Sequence, residues 1–393
     1  MYKFKPFVFK KHNANSVERP KARSGHRIVC DEKYLYSFGG FNPCISDSDP
    51  DMQNDQVWIS SKPLFKEVWK FNLISQQWTR LPGQENMPKE LASNAVILTG
   101  NFLIVYGGSG VPFGSSCSNS LYLCNLKDGK MHVIPAYGDL PDPQYGQAVI
   151  SHGSYLYTVG GTTGYEYTCD IHRFDLRSGI WEKVYICSGS DPNEPTGRYR
   201  HELAFDGKLI YVLGGGTGIE AFGFSEIPAF DLKMNKWVVL NTCGDNKDAS
   251  VPEPRRCHGS VQYTDEKTGV IYAVISGGCN KDHVFSDVWR LDLSLLQWTC
   301  LRKCILPSPV YFHSAALTPE GRMYIFGGSI KENNKVTRTD AVHSVWLKIP
   351  KLSEICFQAL IHYFPHLYRK SPQELLGIGI PLKFVQRIDF PNF

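Results

Sequence analysis

Residues 23–40, RSGHRIVCDEKYLYSFGG, and 67–81, EVWKFNLISQQWTRL, hold four short runs of alternating apolar and polar residues, with a Gly-Gly doublet closing the second run. Alternation with period two belongs to strands, so the segment predicts four strands joined by turns. The unit returns along the chain. Doublets follow short apolar runs at Gly39-Gly40, Gly107-Gly108, Gly160-Gly161, Gly214-Gly215, Gly277-Gly278 and Gly327-Gly328, at intervals of 68, 53, 54, 63 and 50 residues. After the first five comes an apolar residue followed ten positions later by a large one: Val68 to Trp78, Leu121 to Met131, Ile171 to Trp181, Ile227 to Trp237 and Val288 to Trp298. A lone four-stranded sheet has exposed edges and little stability, and six of them bury one another by packing face to face around an axis, as blades of a propeller.

The sixth unit stops after its third strand, HSVWLKI, and leaves an edge uncovered. The N-terminal YKFKPFVFK precedes the first unit at about the distance that other fourth strands precede theirs, so it is expected to complete the sixth blade rather than trail as a basic tail. The fifth unit carries a six-residue insertion near Thr264 to Gly269.

Composition narrows the class. Of the 393 residues, 42% are hydrophobic and 20% charged, as in a globular chain rather than a disordered one. Lys and Arg exceed Asp and Glu by only 42 to 38, too little for the basic footprint of a nucleic-acid binder. MYKFKPFVFKKHN has no secretory apolar core, and no run of eighteen apolar residues follows, so neither secretion by that route nor a membrane span is expected. The twelve cysteines include no CxxC pair and read as free, mostly buried thiols of a reducing compartment, the cytoplasm or also the nucleus. No metal and no cofactor is predicted. GGTTG and GGGTG imitate phosphate-cradling loops, yet each leads into a strand and lacks the helix N-terminus that such loops need.

Antiparallel neighbours put loops between strands two and three on the same rim as the links between blades. These are the long connections, including residues 41–65, GSGVPFGSSCSNS, GTTGYEYTCD and GGTGIEAFGFSE, whereas the opposite rim has tight turns. Long loops on a rigid scaffold carry recognition. On that rim each inner strand opens with an alignable set: Arg23-Ser-Gly-His26, Leu91-Ala-Ser-Asn94, Gln144-Tyr-Gly-Gln147, Arg198-Tyr-Arg-His201, Arg255-Arg-Cys-His258 and Val310-Tyr-Phe-His313. The mouth of the channel is therefore expected to gather Arg198, Arg200, Arg255 and Arg256 with Tyr145, Gln147, Tyr199 and Tyr311. Guanidinium forks between aromatic walls suit a carboxylate on an otherwise apolar ligand. The histidines at the fourth position, repeated from unit to unit, read as structural. The arginine opening three units is in part structural too, and Arg200 and Arg256, which the repeat does not explain, are the better candidates.

Past Pro350 the period becomes helical in LSEICFQALIHYF, with Leu352, Ile355, Cys356, Ala359, Leu360 and Tyr363 on one face. Ser371-Pro-Gln-Glu374 reads as a capping box, and a third helix is expected from Pro381 through LKFVQRI. Three short helices on so few residues need the propeller to pack against. The division is residues 1–350 and 351–393.

An apolar strand ending in Gly-Gly, followed by a spaced aromatic and Trp, resembles the kelch repeat over roughly residues 17 to 350. The resemblance implies an all-β, six-bladed kelch propeller, closed by an N-terminal strand and followed by a short three-helix box. That box resembles the elongin-binding and cullin-binding box of ubiquitin-ligase substrate receptors. Leu352, Cys356 and Leu360 fit the elongin spacing; Ile380, Pro381, Phe384 and Ile388 fit the cullin-2 spacing. Lys351 stands where a small residue is commoner, and Ile380 where Leu is. With the runs RYRHE, GGTTGY and PVYFHSAA, the whole chain resembles kelch-repeat substrate receptors of cullin-2 RING ubiquitin ligases. The resemblance implies a non-catalytic receptor with elongin B/C and cullin-2 with its RING subunit as partners, and C-terminal degrons ending in glycine or alanine as ligands. Rival expectations are a kelch copper-radical enzyme, for which no Cys partners the Tyr and His set, and an actin-binding scaffold. A kelch adaptor of the other common ligase class would need an N-terminal dimerisation domain, and nineteen residues ahead of the first repeat are too few for one.

Overall fold

In the computed structural model, which describes residues 2–13, 16, 18–83, 86–332 and 335–388, each Gly-Gly unit folds as a sheet of four antiparallel strands, and the blade 3 sheet gains a fifth, Tyr137–Gly138, which pairs parallel with Ile180–Tyr185. Blade 1 comprises Arg27–Cys30, Tyr34–Phe38, Val68–Asn72 and Trp78–Arg80, in sequence order from the axis outwards. The other inner strands are Ala95–Thr99, Ala148–His152, Glu202–Phe205, Gly259–Thr264 and Ser314–Leu317, and each neighbours the next in a closed ring of six. The large residue of each fourth strand fills the seam between blades: Trp181, Trp237 and Trp298 are fully buried, and Met131 occupies the equivalent place in blade 2.

The N-terminal segment closes blade 6, pairing antiparallel with Val342–Trp346. Its strand is Lys10–His12, in the register Lys10 to Ser344 and His12 to Val342, so it overlaps the expected stretch only at its end. Residues 2–8 instead run beneath the blade. Phe7 N–H still donates to Trp346 O of the blade's third strand at 3.0 Å, and Tyr2 N–H reaches the Tyr363 hydroxyl of the C-terminal helices at 2.6 Å. Two features lay outside the pattern reading: helix α1, Gln56–Ser61, within the long loop of blade 1, and a hairpin of Ser329–Glu332 with Lys335–Arg338 on blade 6.

The repeat residues clasp one blade to the next. The second glycine of every doublet donates its N–H to the first-position carbonyl of the following blade, as Gly40 does to Leu91 and Gly328 to Arg23, all six at 2.8–3.0 Å. The first glycine has positive φ, and a Cβ there would meet the same carbonyl, 2.6 Å from Val310 O at Gly277 and 2.7 Å from Arg23 O at Gly327. Fourth-position side chains reach back: His26 Nε2 to Phe326 O, Gln147 Nε2 to Tyr106 O and His201 Nε2 to Val159 O, at 3.0–3.1 Å. Burial drives His201 down to about 3 and His313 to about 4, and holds His26 and His258 well below the usual imidazole range. These rings are neutral at ordinary pH; His26, His201 and His313 act as fasteners, whereas both His258 nitrogens are buried without a hydrogen-bond partner.

The tail packs under blades 1 and 6 as α2 (Leu352–Tyr363), a 3-10 turn at Leu367–Arg369, α3 (Pro372–Gly377) and α4 (Leu382–Val385). The Ser371–Glu374 capping box is present in both directions. Phe357, Leu375, Ile380, Phe384 and Ile388 form a small core with Ile74 of blade 1. Arg387 donates to Glu354 at 2.5 and 3.2 Å and to Glu32 O of a lower-rim turn at 3.1 Å, which ties the tail to the pole opposite the long loops. The blade 5 insertion also serves this joint, with Glu266 contacting Lys348 at 3.5 Å and Lys351 at 3.1 Å. Among the described residues no helix is long and apolar enough to cross a membrane. All twelve cysteines are free, but only Cys124, Cys169, Cys257 and Cys304 are buried, which corrects the expectation that most would be.

Candidate functional site

The third residue of each four-residue set, namely Gly25, Ser93, Gly146, Arg200, Cys257 and Phe312, has φ between +54° and +69°. Their backbones close a ring around the axis: each N–H donates to the preceding carbonyl, Ser93 N–H to Gly25 O and so on round to Gly25 N–H, which donates to Phe312 O, at 2.7–3.2 Å. A left-handed residue with a side chain costs roughly 1 kcal/mol, and four of the six are not glycine. The ring narrows the channel mouth, and beneath it Arg27 of blade 1 crosses to Glu202 of blade 4 at 2.6 Å. The mouth is therefore a floored cup.

That cup is a cavity of about 270 Å³ lined by Phe41, Phe113, Tyr145, Tyr199, Tyr311 and Phe312, with Ser24, Ser93, Ser329, Arg200 and Arg338 supplying polar groups. The rings form an arc, with centroids of Phe41 and Phe113 5.1 Å apart, Phe113 and Tyr145 6.2 Å, and Tyr145 and Tyr199 6.1 Å. Burial raises the phenols of Tyr145 and Tyr311 and pushes Tyr199 up to about 12, so all three stay neutral donors.

Arg200 is the chemical centre of the cup. It is 7% exposed, its guanidinium lies 4.8 Å over Phe312, one Nη donates to the Ser93 hydroxyl, and Nε is buried without a partner. Among the described residues no carboxylate lies within ion-pair distance of it; Glu202, which acts on it electrostatically, is held by Arg27. Burial lowers its pKa below the usual arginine value, yet a guanidinium stays charged. An uncompensated buried cation costs several kcal/mol, and an anion entering the cup would offset that cost.

Of the eight mouth candidates, Tyr145, Tyr199, Arg200 and Tyr311 meet in this cavity. Arg198 and Arg255 do not. With Arg23 they are spokes of the scaffold: each Nε donates to the carbonyl two residues back, each Nη1 to the first doublet glycine of its own blade, and each guanidinium covers a phenyl ring at 3.9–4.2 Å. Arg255 is further neutralised by Asp287 at 2.5 Å. Gln147 is a clasp, as described above. Arg256 stands just outside the cup beside Tyr199, donating to Gly218 O at 3.4 Å.

At the other pole the elongin-spaced residues lie on the outward face of α2, with Leu352 73% exposed, Cys356 exposed and Leu360 half-buried. Phe357, stacked on Phe384 at 4.4 Å, supplies the inward face. The cullin-spaced residues divide differently. Pro381 is exposed, but Ile380, Phe384 and Ile388 are buried in the tail's own core, so the expectation that they are contacts is corrected to one in which they hold exposed Ile378 and Leu382 in place.

The model of the KLHDC2/KLHL20/DRC7 Kelch-repeats domain matches residues 10–215 and again 187–362. The "Kelch domain-containing protein 10 homolog" of Drosophila melanogaster is 41% identical over 385 residues, 94% of this chain and 62% of the relative. Kelch domain-containing protein 10 of Xenopus tropicalis is 40% identical over 372 residues, 94% of this chain and 86% of the relative, and that of Homo sapiens 39% over 376 residues, 94% and 80%. The chain belongs to the kelch domain-containing protein 10 family. It spans about 62% of the length of the Drosophila relative.

In this member of the kelch domain-containing protein 10 family, pattern reading missed Ser93, Phe312, Arg338, Phe41 and Phe113. The third-position signal was present: glycine in two of the six sets marks a left-handed site, and Arg200 and Phe312 occupy that site in others. Phe113 comes from a loop without a register, Arg338 from the hairpin peculiar to blade 6, and Phe41 directly follows its doublet at a position held by Ser109, Thr162, Gly216, Cys279 and Ser329 in the other blades.

Proposed function

We propose that this protein is the substrate-recognition subunit of a cullin-2 RING ubiquitin ligase. It is a non-catalytic receptor that takes the free C-terminus of a glycine- or alanine-ended chain into the mouth cup and presents the protein for ubiquitination and degradation. The observation that carries the reading is Arg200, a buried guanidinium without a described acid partner in an aromatic cup. A main-chain carboxylate accepts two parallel N–H bonds from such a fork, Ser93 and Tyr199 supply further donors, and the ring walls favour a small last residue. The exposed Leu352 and Cys356 on α2 would meet elongin B/C, and the surface around Pro381 and Leu382 would face cullin-2.

The test is peptide binding by fluorescence polarisation, free acid against C-terminal amide. Amidation and Arg200→Ala are each expected to cost about 2–3 kcal/mol, roughly 30- to 160-fold, whereas Leu352→Ala with Cys356→Ala should abolish elongin copurification and leave peptide affinity unchanged. Equal affinity for acid and amide would defeat the reading.

A further inference from the structure

The N-terminal segment, the lower rim and α2 enclose a second cavity, of about 800 Å³, at the pole away from the cup. Lys3, Lys5 and Lys10 stand along one wall, His362 on the other, and Arg322 with His12 at the base; none of the described lining residues is Asp or Glu. Glu354, whose charge is felt at Tyr2, is engaged by Arg387.

The base is the informative part. Arg322 is 8% exposed and has no carboxylate within ion-pair distance among the described residues; it contacts the Ser344 hydroxyl at 3.0 Å, Gln358 Oε1 at 3.3 Å and His12 Nε2 at 3.4 Å. A guanidinium only donates. His12 Nε2 also lies 2.7 Å from the Ser344 hydroxyl, so His12, Ser344 and Arg322 form one buried polar cluster whose side chains line the cavity. A buried cation without a counter-ion thus stands at the base of a cleft whose other charged groups are lysines, and an anion would relieve it.

We propose that this cleft binds a small polyphosphorylated ligand, with Arg322 and His12 holding one phosphate at the base and the three lysines holding the others at the rim. Charge density decides the class. Several cations converge on one compact volume, which matches a scaffold carrying multiple charges close together, whereas a peptide spaces its carboxylates by roughly 3.3–3.6 Å or less per residue along a chain and would leave the cleft. Such a ligand would cross-link the N-terminal segment, blade 6 and α2, and so stiffen the joint between propeller and tail.

The experiment is isothermal titration calorimetry of the full chain with inorganic tripolyphosphate, inositol hexakisphosphate and ATP, and with an acidic hexapeptide as comparator. Tripolyphosphate and the inositol phosphate should bind and raise the melting temperature. Lys5→Glu with Lys10→Glu, both on the exposed rim, should weaken binding about tenfold or more, equivalent to about 1.4 kcal/mol, without loss of fold, and Arg322→Lys should weaken it as well. ATP binding as tightly as tripolyphosphate would identify a nucleotide as the source of the phosphates; ATP binding weakly would identify a compact polyphosphate. The proposal is overturned by the absence of binding by any of the three phosphates, by tighter binding of the acidic peptide, or by affinity that the rim variant leaves unchanged.

Discussion

Arg200 in the upper cup and Arg387 under the tail are both buried guanidiniums, 7% and 6% exposed, and both lie over phenyl rings. They differ in what neutralises them. Arg387 has both oxygens of Glu354, and although burial alone would lower its pKa, those contacts raise it; Arg200 has a serine hydroxyl and a free Nε, and burial lowers it. The pair at the lower pole is finished within the chain, so it reads as structure. The upper one is unfinished, and a ligand would complete it. The same distinction separates Arg200 from Arg255, a buried spoke of the scaffold outside the cup that is matched by Asp287.

The largest effect should come from breaking the finished pair. Glu354→Ala leaves Arg387 buried and unmatched, which costs about 3–5 kcal/mol, and the tail should detach from the rim before the propeller melts. Limited proteolysis would show early cleavage around residues 351–388 with the blades intact. If Glu354→Ala leaves the tail as resistant as before, internal neutralisation is not what holds it, and the contrast with Arg200 loses its meaning.

Acid should separate the scaffold from the cup in a second way. His313 is pushed down to about 4 by burial, below the value near 6.5 of an unfolded chain. Above pH 6.5 both states are neutral and the group contributes no pH dependence. As pH falls below 6.5 the unfolded chain takes up a proton that the folded ring refuses, so stability is lost progressively until pH 4, by roughly 3 kcal/mol at 1.36 kcal/mol per unit. Gln147 makes the equivalent backward clasp in blade 3 without titrating. His313→Gln should therefore flatten the loss between pH 6.5 and 4 in urea titrations while keeping stability at pH 7.5. An unchanged acid slope would remove the imidazole from the account.

What the amino-acid pattern made legible follows from what repeats. Alternation, doublets and the spaced Trp specify blades because six copies must satisfy the same interblade bonds, and even Met131 could be placed by register although it is not Trp. The missing fourth strand announced the closure by the N-terminus, but not its register: the regular pairing is Lys10–His12, Phe7 keeps one bond to Trp346, and Tyr2 reaches Tyr363 of α2. In the mouth, the pattern grouped arginines that the fold divides: Arg198 and Arg255 look like Arg200 in one dimension, and only their carbonyl and ring partners, with Asp287 at Arg255, show them to be spokes. The same holds for Ile380, Phe384 and Ile388, whose spacing is compatible with a contact surface or with a core until all three are seen buried in one cluster with Phe357, which stacks on Phe384.

The smallest expected effect is the sharpest test of the comparison. Arg200 stands at φ +54° in a ring where Gly25 and Gly146 occupy the corresponding places. Replacing it with glycine removes a left-handed side chain, worth about 1 kcal/mol, and removes an unmatched buried charge, while the backbone donors to Gly146 and from Cys257 remain. Glycine adds unfolded-chain entropy of about 0.5–1 kcal/mol, which offsets the backbone gain, and the charge relief is offset by loss of the contacts with Phe312 and the Ser93 hydroxyl, so the net change should be small, between zero and about 1 kcal/mol in the stabilising direction. Free-acid peptide affinity should fall roughly 30- to 160-fold in the same protein, as for Arg200→Ala. A residue that weakens its own fold while enabling binding is kept for what it binds. Should Arg200→Gly instead lower the urea midpoint as Glu354→Ala does, Arg200 would be one more finished contact of the scaffold, and the upper pole would differ from the lower in nothing that matters for recognition.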